Sequence, residues 1–424
     1  MRKRVKKIVI WSGIVLGIVA LGALLVNAYL VWTTGTQLEK RLAALREAGE
    51  PVALKDLAQP PIPPETNAAV FLDRARADMR AIEKELQGFY QNEGYENVRL
   101  DAAEQKKLQG LFEAYPKVIP LLEQAAACPD YDSELDYTVN PNQFIESTLE
   151  YSRRNRAPAR ILRVWATLEA AQDRRDEALR SVLTLYRLTR HFDRDPMFVN
   201  YLLAVACRGV ANDLGNRILQ AGPVSKDVRE ALEAELARHD KMEGYGWALR
   251  SERACGLSCY ATFPGANNWV MAAHWNRSRL AYLAMIEQEL ALADQTYAEW
   301  RRRSGRTAPP RDTMVALVWP AVQATRSATE RTRAEIRALR VLNAIQARVP
   351  PGSKDVPRLT ELGLPPEATT DPFNGEPLRI KRLPEGWLIY SVGSNLQDDG
   401  GEKLDGLSDA GIGPIRRPPA PNTK

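Results

Sequence analysis

Asn395, Asp398 and Asp399 lie close together in the stretch SNLQDDGG, between flexible glycines. Calcium takes about six to eight oxygens from carboxylates, amides and backbone carbonyls, and a turn of this composition offers that kind of ligand. The EF-hand spacing is absent, so these three are candidate metal ligands by residue type alone, and a solvated acidic turn is the other expectation. A second acidic run, DYDSELD, carries Asp130, Asp132, Glu134 and Asp136. Paired carboxylates do acid–base work on sugars only when held at a defined separation across a cleft, which a local run does not specify. The segment GLSCYATFPGANNWVMAAHWNRSRL gathers Tyr260, Phe263, Trp269, His274, Trp275, Asn276 and Arg277. Converging, they would line a binding groove, but Trp269, Val270 and Trp275 have spacings that fit helix packing, and His274 has no neighbouring acid or nucleophile.

Other chemistries find less support. His191, His239 and His274 show no zinc-motif spacing. Four cysteines, with Cys255 and Cys259 four apart in CGLSC, do not make a disulfide framework and read as structural. Nucleophile elbows, HExxH pairs, phosphate-binding glycine loops and SxxK sets are not found in suitable contexts. No catalytic or cofactor-binding residue is therefore assigned.

Charge narrows the function further. The 424 residues carry 58 Lys and Arg against 53 Asp and Glu, but Arg2, Lys3, Arg4, Lys6 and Lys7 account for the excess of five. The rest is neutral, without the basic footprint that nucleic-acid binding requires. After the basic cluster, Ile8 to Trp32 runs without a charge, and a helix needs about 20 residues to cross a bilayer. The positive-inside rule keeps residues 1–7 cytoplasmic, and Trp11, Tyr29 and Trp32 suit the interfacial belts. A cleaved signal peptide is the other reading, with Val26-Asn27-Ala28 at a plausible cleavage position, but the run exceeds the usual apolar core of about 7–15 residues.

These candidates must be positioned by elements that are nearly all helical. Leu38, Leu42 and Leu45 continue the first helix beyond the membrane until Gly49 and Pro51 stop it. Pro60, Pro61, Pro63 and Pro64 then predict a stiff spacer holding the body off the membrane. From Asn67 the spacing is helical. In RAPARILRVWATLEAAQDRRDEALRSVLTLYRLTRHF, Ile161, Val164, Trp165 and Leu168 form one stripe and Leu179, Val182, Leu183 and Tyr186 a second, with a turn at Gln172-Asp173 between them. The pair resembles one tetratricopeptide-type unit, with Ala170, Ala171 and Ala178 placed for close helix approach. Helices are expected over 196–220, 225–255 and, the longest, 267–305, and another over 327–348. After Pro350, an Asn374-Gly375 turn, PLRIKRL, a PEGW turn and WLIYSV read as a β-hairpin, which must pack on something. The helix over 327–348 is the obvious partner.

The order of a helix, DPFNG (Asp371–Gly375), YSVG (Tyr390–Gly393) and DDG (Asp398–Gly400) resembles the C-terminal part of the type II secretion major pseudopilin over about 75 residues. That resemblance implies a small sheet packed on a helix and a calcium-binding acidic loop. Ile8 to Trp32 lacks the glutamate and the preceding leader glycine of a pseudopilin, so pilus assembly is not expected. The whole layout, with AGEPVALKDLAQPPIPPETNAAV after the anchor, resembles a family of membrane-anchored envelope proteins of planctomycete bacteria. This second resemblance implies an address and no particular activity.

The expected fold is mainly α: a cytoplasmic tail (1–7), a transmembrane helix (8–32), a juxtamembrane helix and Pro-rich spacer (33–66), stacked antiparallel helical hairpins (67–326), a pseudopilin-like helix-plus-β-hairpin module (327–405) and a disordered tail (406–424). The expected function is a scaffold or interaction protein of the bacterial cell envelope, single-pass in the inner membrane with its bulk periplasmic. It would contact the bilayer through residues 8–32 and a protein or peptide partner through paired helices, which build concave surfaces. The alternative is an exported enzyme acting on cell-wall or other polymer through a cleft in the helical domain.

Overall fold

The computed structural model describes residues 2–92, 100–265, 268–304, 312–350, 353, 355–401 and 408–414. Helix α1 spans Arg2–Glu47 without a break, carrying the apolar run straight into the body of the protein. From Ile10 to Tyr29, and at Trp32, its large apolar side chains are exposed, and it is long and apolar enough to cross a membrane. Beyond the run the same helix docks. Leu38 is buried with Leu42 and Leu45 beside it, in a cluster shared with Tyr282, Leu283 and Ile286.

The body continues as α2 (Ala68–Asn92), α3 (Ala102–Ala114), α4 (Val118–Ala127), α5 (Pro141–Arg154), α6 (Ala157–Ala171), α7 (Arg175–Phe192) and α8 (Met197–Ala221). The hairpin α6–α7 forms as expected. Its two stripes bury Ile161, Leu168, Leu179, Val182 and Tyr186, and the turn places Asp173 in the left-handed region at φ +63°. Ala178 is buried, whereas Ala171 at the turn is exposed.

Two of the expected long helices are broken in two. Residues 225–255 divide into α9 (Lys226–Asp240) and α10 (Glu243–Cys259), with Met242 left-handed at φ +50° between them. Asp240 explains the break: its carboxylate is held by Arg337 and Arg340, both at 2.7 Å. The next segment divides into α11 (Ala272–Ala291) and α12 (Tyr297–Ser304). The amides of Tyr297 and Ala298 donate to the Pro372 and Phe373 carbonyls at 3.1 and 2.8 Å, so the DPFNG turn caps α12 and ends the run. The expected break at Ala308–Pro310 lies outside the described residues.

Helix α13 (Thr313–Arg348) begins earlier than expected and forms the spine of the body. Its apolar face, Ile336, Leu339, Leu342 and Ile345, joins the main core with Leu214 and Ile218 of α8. At Gly215 a Cβ would lie 3.0 Å from Leu339 Cδ2, so glycine allows this close approach. Its other face carries arginines that meet the buried Glu330 and the half-buried Glu233. Arg326 and Arg333 pair with Glu330 at 2.9 and 2.8 Å, and Arg340 reaches Glu233 at 2.8 Å.

Strands β1 (Arg379–Leu383) and β2 (Gly386–Ser391) form the expected hairpin, with Arg382 opposite Trp387. A third strand, β3 (Ala410–Ile412), pairs with β2 and sets Ile412 against Ile389. This corrects the expected tail, because residues 410–412 belong to the sheet; residues 406–407 and 415–424 lie outside the described residues. The physical reason is burial: Leu378, Ile389 and Ile412 enter the core beside α13. Gln220 of α8 also brackets Trp387, accepting from its amide at 3.0 Å and donating to its carbonyl at 2.7 Å.

The juxtamembrane segment is corrected too. Leu54 and Leu57, on a single 3₁₀ turn, pack with Phe144, Ala254 and Cys255. Glu50 is clamped by Arg250 at 2.9 Å and Arg253 at 2.7 Å. The four prolines are exposed, but the chain before them is already fixed to the body, so they do not set its distance from the membrane.

Candidate functional site

The acidic loop is closed by its own contacts. Asp398 accepts from Arg379 Nε at 2.8 Å, from the Tyr390 hydroxyl at 3.1 Å and from the Gly400 amide at 3.0 Å. Burial is the largest single influence and raises its carboxyl, but these contacts together outweigh it and hold the carboxyl below the usual range. Asn395 donates to Asp399 at 2.7 Å and caps the Gln397 amide at 3.0 Å. As the loop stands, a guanidinium occupies the place at Asp398 that a cation would take. Among the described residues no group of three or more His, Cys, Asp or Glu is placed to hold a metal.

The carboxylates of DYDSELD shape turns. Asp132 caps the Glu134 amide at 3.0 Å, and Asp136 accepts from the Thr138 amide and hydroxyl at 2.8 and 2.6 Å. Asp130 reaches toward Arg194 at 3.9 Å. His274 is exposed on α11, edge-on to Trp275. Trp275 stacks on Phe263 with centroids 5.5 Å apart, as expected of packing. Trp269 and Val270 depart from that expectation, being 45% and 62% exposed in the turn before α11. All four cysteines are free thiols, and burial pushes Cys207 up to about 12, so it is unreactive.

A groove of about 310 Å³ lies between α2 and the α5–α6 junction. Arg76 and Arg80 face it from α2, and Arg153 and Arg154 from the end of α5, with Glu83 and Glu150 as the acids of its lining. Arg76 pairs with Asp73, Arg154 with Glu150, and Glu83 is drawn to Arg160 at 2.9 Å. Arg80 and Arg153 are exposed and have no ion-pair partner among the described residues. Four arginines against two glutamates leave the lining two charges positive, on a body that is neutral overall. Helical spacing gives the geometry: residues 76 and 80 are one turn apart, so both present to the same side.

Behind the groove sits a buried polar network. Asn155, part of the lining, donates to the Tyr131 hydroxyl at 3.1 Å. Tyr131 hydrogen-bonds to Tyr151 and donates to Asp195 at 3.0 Å, and Ser133 donates to the same carboxylate at 2.7 Å. Burial pushes Asp195 up to about 7, partly offset by those two donors. Sequence reasoning missed both this acid and the groove. The DYDSELD run did mark the region, but through Tyr131 and Ser133 rather than its carboxylates. A second groove, about 630 Å³, separates α1 from α11 between Lys40, Arg41 and Leu280.

Comparison with known protein families, curated proteins and solved structures returns no match.

Proposed function

We propose that this chain is a membrane-anchored interaction protein of the bacterial envelope, whose arginine-lined groove receives an acidic segment of a partner protein. The observation that carries the reading is the pair of exposed arginines, Arg80 and Arg153, without an ion-pair partner among the described residues, at a groove that already holds two salt-bridged arginines. Guanidinium groups bind carboxylates bidentately, so a cluster of them selects acidic side chains by geometry as well as charge. The alternative, an exported enzyme acting on cell-wall or other polymer, would need for glycoside hydrolysis two acids facing each other across a cleft, and Asp132 and Asp136 of DYDSELD are engaged as turn caps.

The address follows from α1. Five basic residues precede the apolar run, which favours a cytoplasmic N-terminus and a periplasmic body. The helix is continuous from that run into Leu38, which is buried in the body. That continuity supports an anchor retained in the mature protein. The planctomycete envelope resemblance agrees with this address.

The test uses the full chain in detergent and a fluorescent Glu- and Asp-rich peptide. Binding is expected to weaken at least tenfold, about 1.4 kcal/mol, in the Arg80→Glu/Arg153→Glu variant and to fall with added salt. Both substitutions are on exposed side chains and leave the fold intact. Equal binding by wild type and variant would remove the groove from the reading.

A further inference from the structure

Outside α1, six large apolar side chains are exposed among the described residues, and three of them are consecutive: Trp269, Val270 and Met271. They form the turn that leads into α11. Its backbone is satisfied internally: the Asn268 amide donates to the Gly265 carbonyl at 2.9 Å, the Met271 amide to the Asn268 carbonyl at 3.0 Å, and the Asn268 side chain accepts from Val270 at 2.9 Å. Below the turn, Phe263 and Trp275 stack and Tyr260 packs edge-on against both. The turn that carries the three exposed side chains thus leads directly into the helix whose Trp275 belongs to this aromatic cluster.

Their position relative to α1 gives them a partner. Asn27 Nδ2 donates to the Trp269 carbonyl at 3.3 Å, Asn276 Nδ2 to the Thr34 hydroxyl at 3.3 Å, and Arg41 lies 3.7 Å from Glu287. Residue numbers rise together along the two chains, so α11 runs parallel to α1 with its N-terminal turn toward the apolar run. At 1.5 Å per residue, Asn27 lies about 7–8 Å on the membrane side of Trp32. The 25-residue run Ile8–Trp32 is about 38 Å long, against a hydrocarbon core of about 30 Å. The excess is about the length over which the turn lies alongside it. Arg277 and His274, both exposed, follow one to two turns further from the membrane, at headgroup height.

We infer that the Trp269–Met271 turn is a second membrane contact, seated in the phospholipid interface beside the point where α1 leaves the bilayer. It rests on the reading that α1 spans a membrane. Trp at the interface with a basic residue just above it is the pattern that anchors helices at that depth. With two contacts the body is held at a fixed tilt against the membrane surface, where a single helix would let it swing. The Trp269 carbonyl also satisfies the one side-chain amide within the apolar run, a group costly to leave unpaired there.

The test places nitroxide labels on the full chain in phosphatidylcholine–phosphatidylglycerol nanodiscs, in a Cys128→Ser/Cys259→Ser background that leaves only the two buried thiols. Labels go at Leu21→Cys in the run, Val270→Cys in the turn and Leu149→Cys on α5, each an exposed site. At position 270, relaxation by oxygen is expected to exceed relaxation by a water-soluble nickel chelate, with a ratio between those at 21 and 149. A ratio equal to that at 149, with 21 clearly buried in lipid, overturns the inference and leaves the anchor standing. If 21 also resembles 149, the anchor itself fails and the inference with it. Dipolar broadening between labels at 270 would show that a second copy covers the turn, and overturns it as well.

Discussion

Asp371 shows what one buried carboxylate does here. It is fully buried and accepts from the Phe373 amide at 2.8 Å, the Ser391 hydroxyl at 2.6 Å and the Val392 amide at 2.9 Å. The DPFNG turn is thus tied to the end of β2 by a side chain, and Asp371→Ala strands three donors. A loss of about 2–4 kcal/mol is expected in urea unfolding, and a loss below 1 kcal/mol would mean that water replaces the carboxylate. Asp195 and two histidines contribute to the pH response with opposite signs. Asp195 is pushed from 3.8 to about 7 by burial. The native state therefore keeps a proton that the unfolded chain releases between those values, and this group lowers stability as pH rises through that window. Burial pushes His191 and His239 down to about 4, so each imidazole raises stability as pH climbs from about 4 to 6.5. His239 is held neutral by its contacts: Nδ1 accepts from Arg208 at 3.0 Å, so Nε2 carries the proton and donates to the Tyr186 carbonyl at 3.0 Å. Across the shared window these two imidazoles act in the opposite direction to Asp195. Asp195→Asn removes only the opposing slope, so the variant gains on wild type from pH 5 to pH 7 by up to about 1.4 kcal/mol per pH unit. Parallel thermal melts over that range check the sign.

At the scale of elements, two packings carry distinct predictions. Gly256 on α10 lies against Tyr282 of α11, and a Cβ there would fall 2.2 Å from the ring hydroxyl, which is already bonded to the Glu252 carbonyl at 2.8 Å. Gly256→Ala is expected to cost about 1–3 kcal/mol by forcing α10 and α11 apart, visible as a lower unfolding midpoint. Ile412 tests the third strand. Its removal as Ile412→Ala is expected to cost about 2–4 kcal/mol, whereas a residue in a free tail would cost nothing measurable. For the acidic loop, Arg379 on Asp398 predicts no rise in melting midpoint at millimolar calcium; a rise of several degrees would identify ion binding, because a ligand of the native state stabilises it.

For the whole molecule, α13 does the joining. Its apolar face closes the helical core and carries the sheet, while its arginines meet the acids of α9. Removing one partner leaves a buried charge, so Asp240→Ala is expected to destabilise by about 3–5 kcal/mol. Because helical body and sheet share this helix, unfolding of that variant should remain one transition when followed by both far-ultraviolet and tryptophan signals. Two separated transitions would show that the C-terminal module is an independent unit.

Periodicity and composition made the helical class, the α6–α7 hairpin and the long apolar run of α1 legible in the sequence, because a 3.6-residue apolar stripe and 25 uncharged residues are local properties. The β-hairpin was legible for the same reason, through its turns and branched residues. Long-range contacts were not. Nothing local in SDAGIGP marks a strand, and only pairing with β2 makes Ala410–Ile412 one. Breaks at Met242 and before Tyr297 follow from ion pairs and a cap supplied by chain about 75–100 residues away. The groove needed Arg76 and Arg80 to meet Arg153 and Arg154 across a junction of helices, and Asp195 needed burial beside Tyr131 to hold its proton. Sequence alone determined the mainly helical class, the β-hairpin and the run long and apolar enough to cross a membrane, since those depend on neighbours along the chain. Tertiary structure decided which charges stay unpaired, which carboxylates are turn caps and where Trp269 lies relative to α1, since those depend on neighbours in space.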